Sequence, residues 1–351
     1  MKLTRRAILA TVSAAAILAQ PLMAAAQELP RNVRLVIGST STGGDTYQNA
    51  AIVADALAEK LGINIKVDAV GPTEAFKAVG RDKRGTTLMM HHDQSYLGHL
   101  YGVRGYDDIF AEYQIGPTVA VNPGNAYLLP KDSPYQSMDD ILKAVESGER
   151  VRVAIQPGGV SEIGFSAMKN AAKLAAPGSE ENLVAVNTGS QSDKDQALFD
   201  DLADVINGSI QSNEQYTQLP ADDQKAMRFV WITARPETLS QAPEAGMGKL
   251  SRDDMLKYAS PETSVTLDGS KDFTFDKVFF FIYNKDMDPA IVKQIDDALA
   301  EIYADGTIQE RQKEAFFIPD FRPSAEARAH LEEKNAAYAK VIDAIGAAQT
   351  N

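Results

Sequence analysis

Residues Val33–Val67 read VRLVIGSTSTGGDTYQNAAIVADALAEKLGINIKV, and three patterns follow one another in them. Val33–Ile37 is a short, mainly apolar run with the basic Arg31 just before it and Arg34 near its start, the signature of a buried strand. Gly38-Ser39-Thr40-Ser41-Thr42-Gly43-Gly44-Asp45 is a loop of small polar residues. Tyr47–Leu61 then shows helical spacing, with Val53, Leu57 and Leu61 on one face. Asp45 or Thr46 is suited to cap its start, and Gly62 stands just past its end. Ile63–Val67 is a second strand. The order β-loop-α-β is that of an α/β domain built on a parallel sheet.

Further along the chain the same order recurs. Thr86–Met90 reads as a strand leading to His91-His92-Asp93, and Val151–Ile155 as one leading to Gln156-Pro157-Gly158-Gly159-Val160-Ser161, with a helix to about Leu174. Leu183–Val186 leads to Asn187-Thr188-Gly189-Ser190 and a helix through about Asp201. Ala203–Ile206 leads to Asn207-Gly208-Ser209, and Phe229–Ile232 to Thr233-Ala234-Arg235. Val278–Tyr283 is the most hydrophobic strand and is expected at the centre of a sheet. Asp288 caps a helix with Pro289 in its first position, where a fixed φ is an advantage, and Ala325 to about Ile345 is a long final helix. Small residues at the carboxyl ends of strands let backbone approach a ligand. A helix that follows turns N–H groups and the positive end of its dipole to the same place, which suits carboxylates and phosphates.

Composition narrows the possibilities. A chain of 351 residues suits two domains, and 44% hydrophobic with 24% charged residues is ordinary for a soluble globular protein. A net charge of −13 without a Lys/Arg cluster disfavours nucleic acid as a partner. The absence of cysteine excludes disulfides, thiolate metal sites and cysteine nucleophiles. At the start, Lys2, Arg5 and Arg6 precede the apolar Ala7–Ala19 and the small Ala24-Ala25-Ala26, the layout of a secretory signal cleaved after Ala26. Thr4-Arg5-Arg6-Ala7-Ile8-Leu9 resembles a twin-arginine signal, so both the Sec and twin-arginine routes stay open. Loss of residues 1–26, with three basic residues and no acid, takes the net charge from −13 to −16.

Catalytic and cofactor motifs are incomplete. Gly38-x-x-x-x-Gly43 begins like a phosphate-binding loop, but Gly44 and Asp45 stand where Lys and Ser/Thr belong. His91, His92, Asp93 and His99 lack the spacing of a metal-binding helix, and no metal or cofactor is expected. At a strand end, His91 and Asp93 are candidates to line a ligand cleft, with surface-loop positions as the competing reading. Gly159-Val160-Ser161-Glu162-Ile163 is not a nucleophile elbow, and Ser161 fits a helix cap and a ligand donor equally well. Asp193, Asp195, Asp200, Asp201 and Asp204 read as a solvated helix face. Trp231 reads as core, and Tyr47, Tyr96, Tyr101 and Tyr216 are placed to close over a ligand.

Several pieces, in order over some 300 residues, carry a family resemblance. They are Gly43-Gly44-Asp45 before a helix ending Ala58-Glu59-Lys60-Leu61-Gly62; Arg84-Gly85-Thr86-Thr87-Leu88; Pro157-Gly158-Gly159-Val160-Ser161; Ala203-Asp204-Val205; Thr233-Ala234-Arg235-Pro236; and Met287-Asp288-Pro289-Ala290-Ile291-Val292. In these the chain resembles the extracytoplasmic solute-binding proteins of tripartite tricarboxylate transporters, the TctC or Bug type.

The resemblance implies an α/β, two-domain periplasmic solute-binding protein, type II-like, with the ligand cleft between the domains. Residues 27–125 plus 234–351 would form domain 1 and residues 126–233 domain 2. It implies a carboxylate held by backbone N–H groups and hydroxyls of Ser39, Thr40, Ser41, Thr42, Gly43, Gly44 and Asp45 and of Gly158, Gly159, Val160 and Ser161. Asn187, Thr188, Asn207 and Ser209 would finish the pocket. It further implies a monomer that closes on a small organic acid and docks on membrane transporter subunits.

The chain departs from the family at this pocket. Tyr47 stands where the acid of Gly-Gly-x-x-Asp belongs, and Val186-Asn187-Thr188-Gly189-Ser190 replaces Val-Pro-Tyr-x-Gly. Asp68-Ala69-Val70-Gly71-Pro72-Thr73 replaces the usual Asn-x-x-Gly-Ala-Gly-Gly run, and His91-His92-Asp93 replaces small polar residues. The added groups suit a polyol, a sugar or a cationic group. Two competing readings remain. One is an exported hydrolase or lyase using His91 or His92 with Asp93, which needs a nucleophile or metal that the sequence does not display. The other is a ligand-sensing subunit of a membrane receptor, which shares the binding step.

Overall fold

The computed structural model describes residues 29–346, so the expected export signal lies outside the described residues. The described residues hold eleven strands in chain order: β1 (Asn32–Ile37), β2 (Asn64–Ala69), β3 (Thr87–His92), β4 (Tyr113–Asn122), β5 (Asn125–Pro130), β6 (Val151–Ile155), β7 (Leu183–Asn187), β8 (Val205–Ser209), β9 (Met227–Ile232), β10 (Lys277–Asn284) and β11 (Ile318–Arg322). They form two sheets, of order β11-β4-β10-β3-β1-β2 and β7-β6-β8-β5-β9. The chain enters the second sheet across Pro123 and Gly124, between β4 and β5, and returns to the first between β9 and β10.

The opening unit forms as its pattern requires. The helix Asp45–Leu61 buries Thr46, Asn49, Ala50, Val53, Ala54 and Leu57, positions three and four apart on one face. It ends where Gly62 turns left-handed at φ 63° and its N–H bonds Ala58 O. β1 pairs in parallel with both β2 and β3. The helix Pro289–Asp305 starts at Asp288, whose carboxylate accepts the Ala290 N–H, and buries Ile291, Val292, Ile295, Leu299 and Ile302.

The sheets are mixed rather than parallel. β10 is buried at every position and lies inside its sheet as expected, but it runs antiparallel to both β3 and β4. β5 likewise runs antiparallel to β8 and β9. These reversals follow from the two crossings, which carry the chain from one sheet to the other between neighbouring strands.

Two segments pack across the crossings. Ala234, Leu239, Ala242, Met247, Met255 and Ala259 are buried with Ala126, Leu128, Ile206 and Ile232 of the second sheet. The final helix, Ser324–Gly346, lies against β4 and against the helix Val160–Ala175. Its Leu331, Tyr338 and Val341 join Phe273 and Phe275 in one core. No helix among the described residues is long and apolar enough to cross a membrane.

Candidate functional site

Gly38 follows β1, and a Cβ there would lie 2.3 Å from the His91 ring, so only glycine lets this backbone pass. The loop then closes on itself. Ser39 Oγ accepts the Ser41 N–H at 3.1 Å, Ser41 Oγ accepts the Gly43 N–H at 3.3 Å, and Ser39 O accepts the Gly71 N–H. Thr40, Ser41, Thr42 and Gly43 are exposed. Gly44 precedes the helix without a side-chain cap, so no N-cap side chain occupies its first-turn N–H groups. Tyr47 is half-buried and packs beside the core under β1.

Asp45 is tied to both crossings. Its Oδ2 accepts Asn122 Nδ2 at 2.8 Å and forms an ion pair with Lys277, whose side chain is 11% exposed. Burial alone would raise this carboxyl. The Lys277 charge, with hydrogen bonds from Lys277, Asn122 and the Thr46 N–H, holds it below its ordinary value instead. Asn122 Oδ1 also accepts the Gly124 N–H at 2.8 Å, fixing the first crossing.

On the second unit the expected donors are already engaged. Ser161 is 1% exposed, and its hydroxyl accepts the Gln156 N–H at 2.7 Å. Tyr127 donates to Ser161 O, and the Glu162 carboxylate accepts the Gly158 N–H. Gly158, at φ 70°, and Gly159 are buried. A Cβ on Gly158 would meet Val103 Cγ2 at 2.5 Å and Gly98 Cα at 3.2 Å. The segment following β3 therefore covers this loop, and Tyr101 and Ser166 join their hydroxyls across the seam at 2.8 Å. Val160 is half-buried beside them. Thr188 donates its N–H and its hydroxyl to Ile155 O. Asn187 is exposed on the edge strand β7, and Ser209 caps the helix Ile210–Thr217 by accepting the Ser212 N–H.

Asn207 lies inside β8 rather than in the loop expected after it, and is 2% exposed. Its Nδ2 donates to Asn125 Oδ1 at 3.1 Å and Ala126 O at 3.2 Å. Asn125 Nδ2 in turn donates to Thr233 Oγ1, whose hydroxyl reaches Phe275 O. A continuous polar chain thus laces both crossings. Lys194, 5% exposed, joins it by donating to Asn207 Oδ1 at 3.4 Å, and makes no ion pair among the described residues. Burial, and then the nearby Lys277 charge, lower its ammonium to about 8, with Asp195 and Asp45 acting in the opposite direction.

The histidines sit deeper than expected. His91 and His92 belong to β3 itself, opposite Phe280 and Phe279, because β10 extends the pairing past Met90. Neither ring nitrogen of His91 has a partner. Burial and the Lys277 charge push it down to about 3, so the ring is neutral. His92 Nδ1 accepts the Gln94 N–H, and burial and neighbouring positive charge push it well down. Asp93 pairs with neither. Its carboxylate accepts Tyr96 OH and the Val278 N–H and forms an ion pair with Lys334 at 2.6 Å, anchoring the final helix. The constellation required by the hydrolase reading is not assembled. His99 is exposed, and no group of three or more His, Asp or Glu is placed to hold a metal among the described residues.

The structure therefore brings together Asp45, Asn207 and three residues that the sequence reading passed over, Asn122, Lys194 and Lys277. It leaves Thr40–Gly43 and Asn187 at the rim and makes Asp93 and Ser161 internal ties. Tyr96 is likewise tied to Asp93, and Tyr216 packs edge-on against Phe199. One signal for Lys194 was present: it stands three and four positions before Ala197 and Leu198, on the helix face that is buried. The acidic stretch around it is not simply solvated, since Asp195 accepts from Gln191 and Asn213, and Asp204 pairs with Arg152.

No family model matches the sequence, and no curated protein matches it. Solved structures do match the fold. The periplasmic binding protein BugD aligns with a TM-score of 0.64 at 17% identity, over 90% of this chain and 98% of that one. The R. palustris protein Rpa4515 with adipate gives 0.69 at 15%, over 90% and 98%. MatC from Rhodopseudomonas palustris with bound malate gives 0.63 at 16%, over 90% and 100%. What the chain shares with them is the two-domain α/β fold of periplasmic binding proteins.

Proposed function

We propose that the chain is an extracytoplasmic solute-binding protein that holds a small organic carboxylate between its two sheet units and delivers it to the membrane subunits of a tripartite tricarboxylate-type transporter. The observation that carries this reading is the pair of buried ammonium groups at the seam, Lys194 and Lys277, of which only Lys277 is ion-paired with a carboxylate among the described residues. A buried cation without a counter-ion is costly, and a carboxylate ligand beside Lys194 supplies the missing charge. The fold supports the reading, since structures that share it were solved with adipate and with malate.

In this reading the protein performs no chemistry, is exported to the periplasm and acts as a monomer. Domain 1 is residues 27–125 plus 234–351 and domain 2 residues 126–233, with 234–259 riding on the second sheet. The two crossings act as the hinge. Ligand contacts come from the first turn at Gly44–Asp45, from Ser39 and the rim Thr40–Gly43, and from Lys194, with Asn207 and Thr188, whose donors are already engaged, forming part of the pocket wall.

The test is a melting-temperature screen of purified protein, unfolded and refolded beforehand to strip carried-over ligand. Dicarboxylates, tricarboxylates, monocarboxylates, amino acids and sugars form the panel. A true ligand raises the midpoint with its concentration, by the equivalent of about 2.7 kcal/mol at about 100 times Kd, and is recovered unchanged. Turnover of any compound, or silence from every acid while a neutral sugar stabilises, refutes the proposal.

A further inference from the structure

Four cations stand near the crossings, and three of them are matched with acids among the described residues. Lys277 is held by Asp45, Lys334 by Asp93 and Arg235 by Asp276 at 2.6 Å. Both β3 histidines are neutral. Lys194 donates to Asn207 Oδ1, an amide oxygen at 3.4 Å, and has no carboxylate within ion-pair distance among the described residues, although the charges of Asp195 and Asp45 reach it. Its neighbour in sequence, Asp195, is turned to Gln191 Nε2 and Asn213 Nδ2 at 2.8 and 2.9 Å. A second unsatisfied group stands nearby: both polar atoms of the Gln211 side-chain amide are buried without a hydrogen-bond partner. Its Oε1 lies 2.9 Å from where a Cβ on Gly124 would be, at the first crossing.

Resting on the solute-binding reading, we infer that the ligand is a monocarboxylate whose single charge is held by Lys194 and whose remainder is neutral and hydrogen-bonding, recognised by Gln211 and the asparagines of the crossings. A dianion brings a second carboxylate to a seam whose other cations are already paired. That carboxylate must either go unmatched in a buried place or displace Asp45 from Lys277, and both weaken binding. The remainder must be polar, because an apolar one leaves the Gln211 amide unsatisfied. The low affinity of the free ammonium for its proton supports the same picture. Asp45, Asp195 and Lys277 are the charged groups acting on it, and an arriving carboxylate restores the proton.

Titration calorimetry with refolded protein tests this on matched pairs: succinate against succinamate, adipate against 6-hydroxyhexanoate, and malate against 3-hydroxybutyrate. The monoanion of the best pair is expected to bind about 10- to 100-fold more tightly than its dianion. At pH 8 its binding takes up about half a proton, read from heats in buffers of different ionisation enthalpy. K194Q and, as a second variant that keeps the charge, K194R separate the roles. K194Q loses about 10- to 100-fold and the proton uptake, while K194R retains the preference for monoanions. A dianion that binds as tightly as its partner overturns the inference and leaves the solute-binding reading standing. So does a folded K194Q protein with unchanged affinity. Failure of every acid, monoanion and dianion alike, overturns both.

Discussion

Replacing Gly38 with alanine examines how the floor of the seam is built. The added Cβ falls 2.3 Å from Cε1 and Nε2 of His91 and 2.5 Å from Cδ2. Ordinary carbon contacts begin near 3.5 Å, so roughly 1 Å must be found by moving either the ring or the loop. The ring has no room. It is fully buried, with His92 4.7 Å away and Phe76 6.3 Å away, centroid to centroid. Overpacking of this kind costs about 1–3 kcal/mol, and a boxed-in ring places the expectation at about 2–3 kcal/mol.

His91→Ala alone opens a void but removes two unpartnered nitrogens, opposing effects that leave a net loss of about 1–2 kcal/mol. In the double variant the new methyl enters the void. The two losses should therefore fail to add, with a favourable coupling of at least about 1 kcal/mol. Urea unfolding at pH 7.5, read as midpoint shifts at constant m, measures all four corners of the cycle. Additive losses, or a Gly38→Ala protein as stable as the parent, refute the close approach of this loop to His91.

Three further outcomes follow from the charges. Asp45→Asn leaves the Lys277 ammonium, 11% exposed, facing a neutral amide, and should destabilise by about 2–4 kcal/mol in the same assay. Because the Asp45 carboxyl is depressed in the folded state, its contribution is present above its ordinary value of 3.8 and is lost as pH falls through the folded one, so the variant should unfold with a shallower acid limb. His91 acts over a higher range: its folded value near 3 lies below 6.5, the unfolded chain binds the extra proton between them, and stability falls as pH is lowered through that window, by roughly 2–3 kcal/mol at pH 4.5. His91→Leu should flatten this slope, and an unaltered pH profile would remove His91 from the explanation. Lys194→Met should stabilise the ligand-free protein at neutral pH by about 1–3 kcal/mol, since a folded value near 8 against 10.5 means that the parent holds its charge at a loss below pH 8. Destabilisation by that change would mean that Lys194 is a structural tie.

What could be read from the sequence depended on how local the determinants are. The helix Asp45–Leu61 carries its own periodicity and its own Gly62 stop, and Asp288-Pro289 marks the start of the helix Pro289–Asp305, so both were legible. β4 and β5 were not. Gly116 and Pro117 interrupt the first, and Asn122-Pro123-Gly124-Asn125 reads as a turn, whereas both strands are continuously buried inside sheets assembled from distant segments. The helix Pro72–Arg81 passed unread as part of a departure from the family pattern. His91 looked like a loop residue because nothing near it shows that β10, nearly 190 positions later, extends the strand over it.

The site divides along the same line. Hydroxyls and glycines at strand ends are visible as composition, but composition cannot say whether a hydroxyl already has a partner. Ser161, Ser190 and Ser209 each have one nearby in sequence, in the loops and helix starts they serve. The residues left over are those whose partners come from distant parts of the chain or are missing altogether. Lys277 meets Asp45 across 232 positions, Asn207 meets Asn125 across 82, and Lys194 has no acid within ion-pair distance among the described residues. A lysine on the buried face of a short helix is a poor choice for stability by every local rule. Its presence makes sense where a second molecule completes the charge balance, so a group that weakens the empty protein also narrows what can fill it.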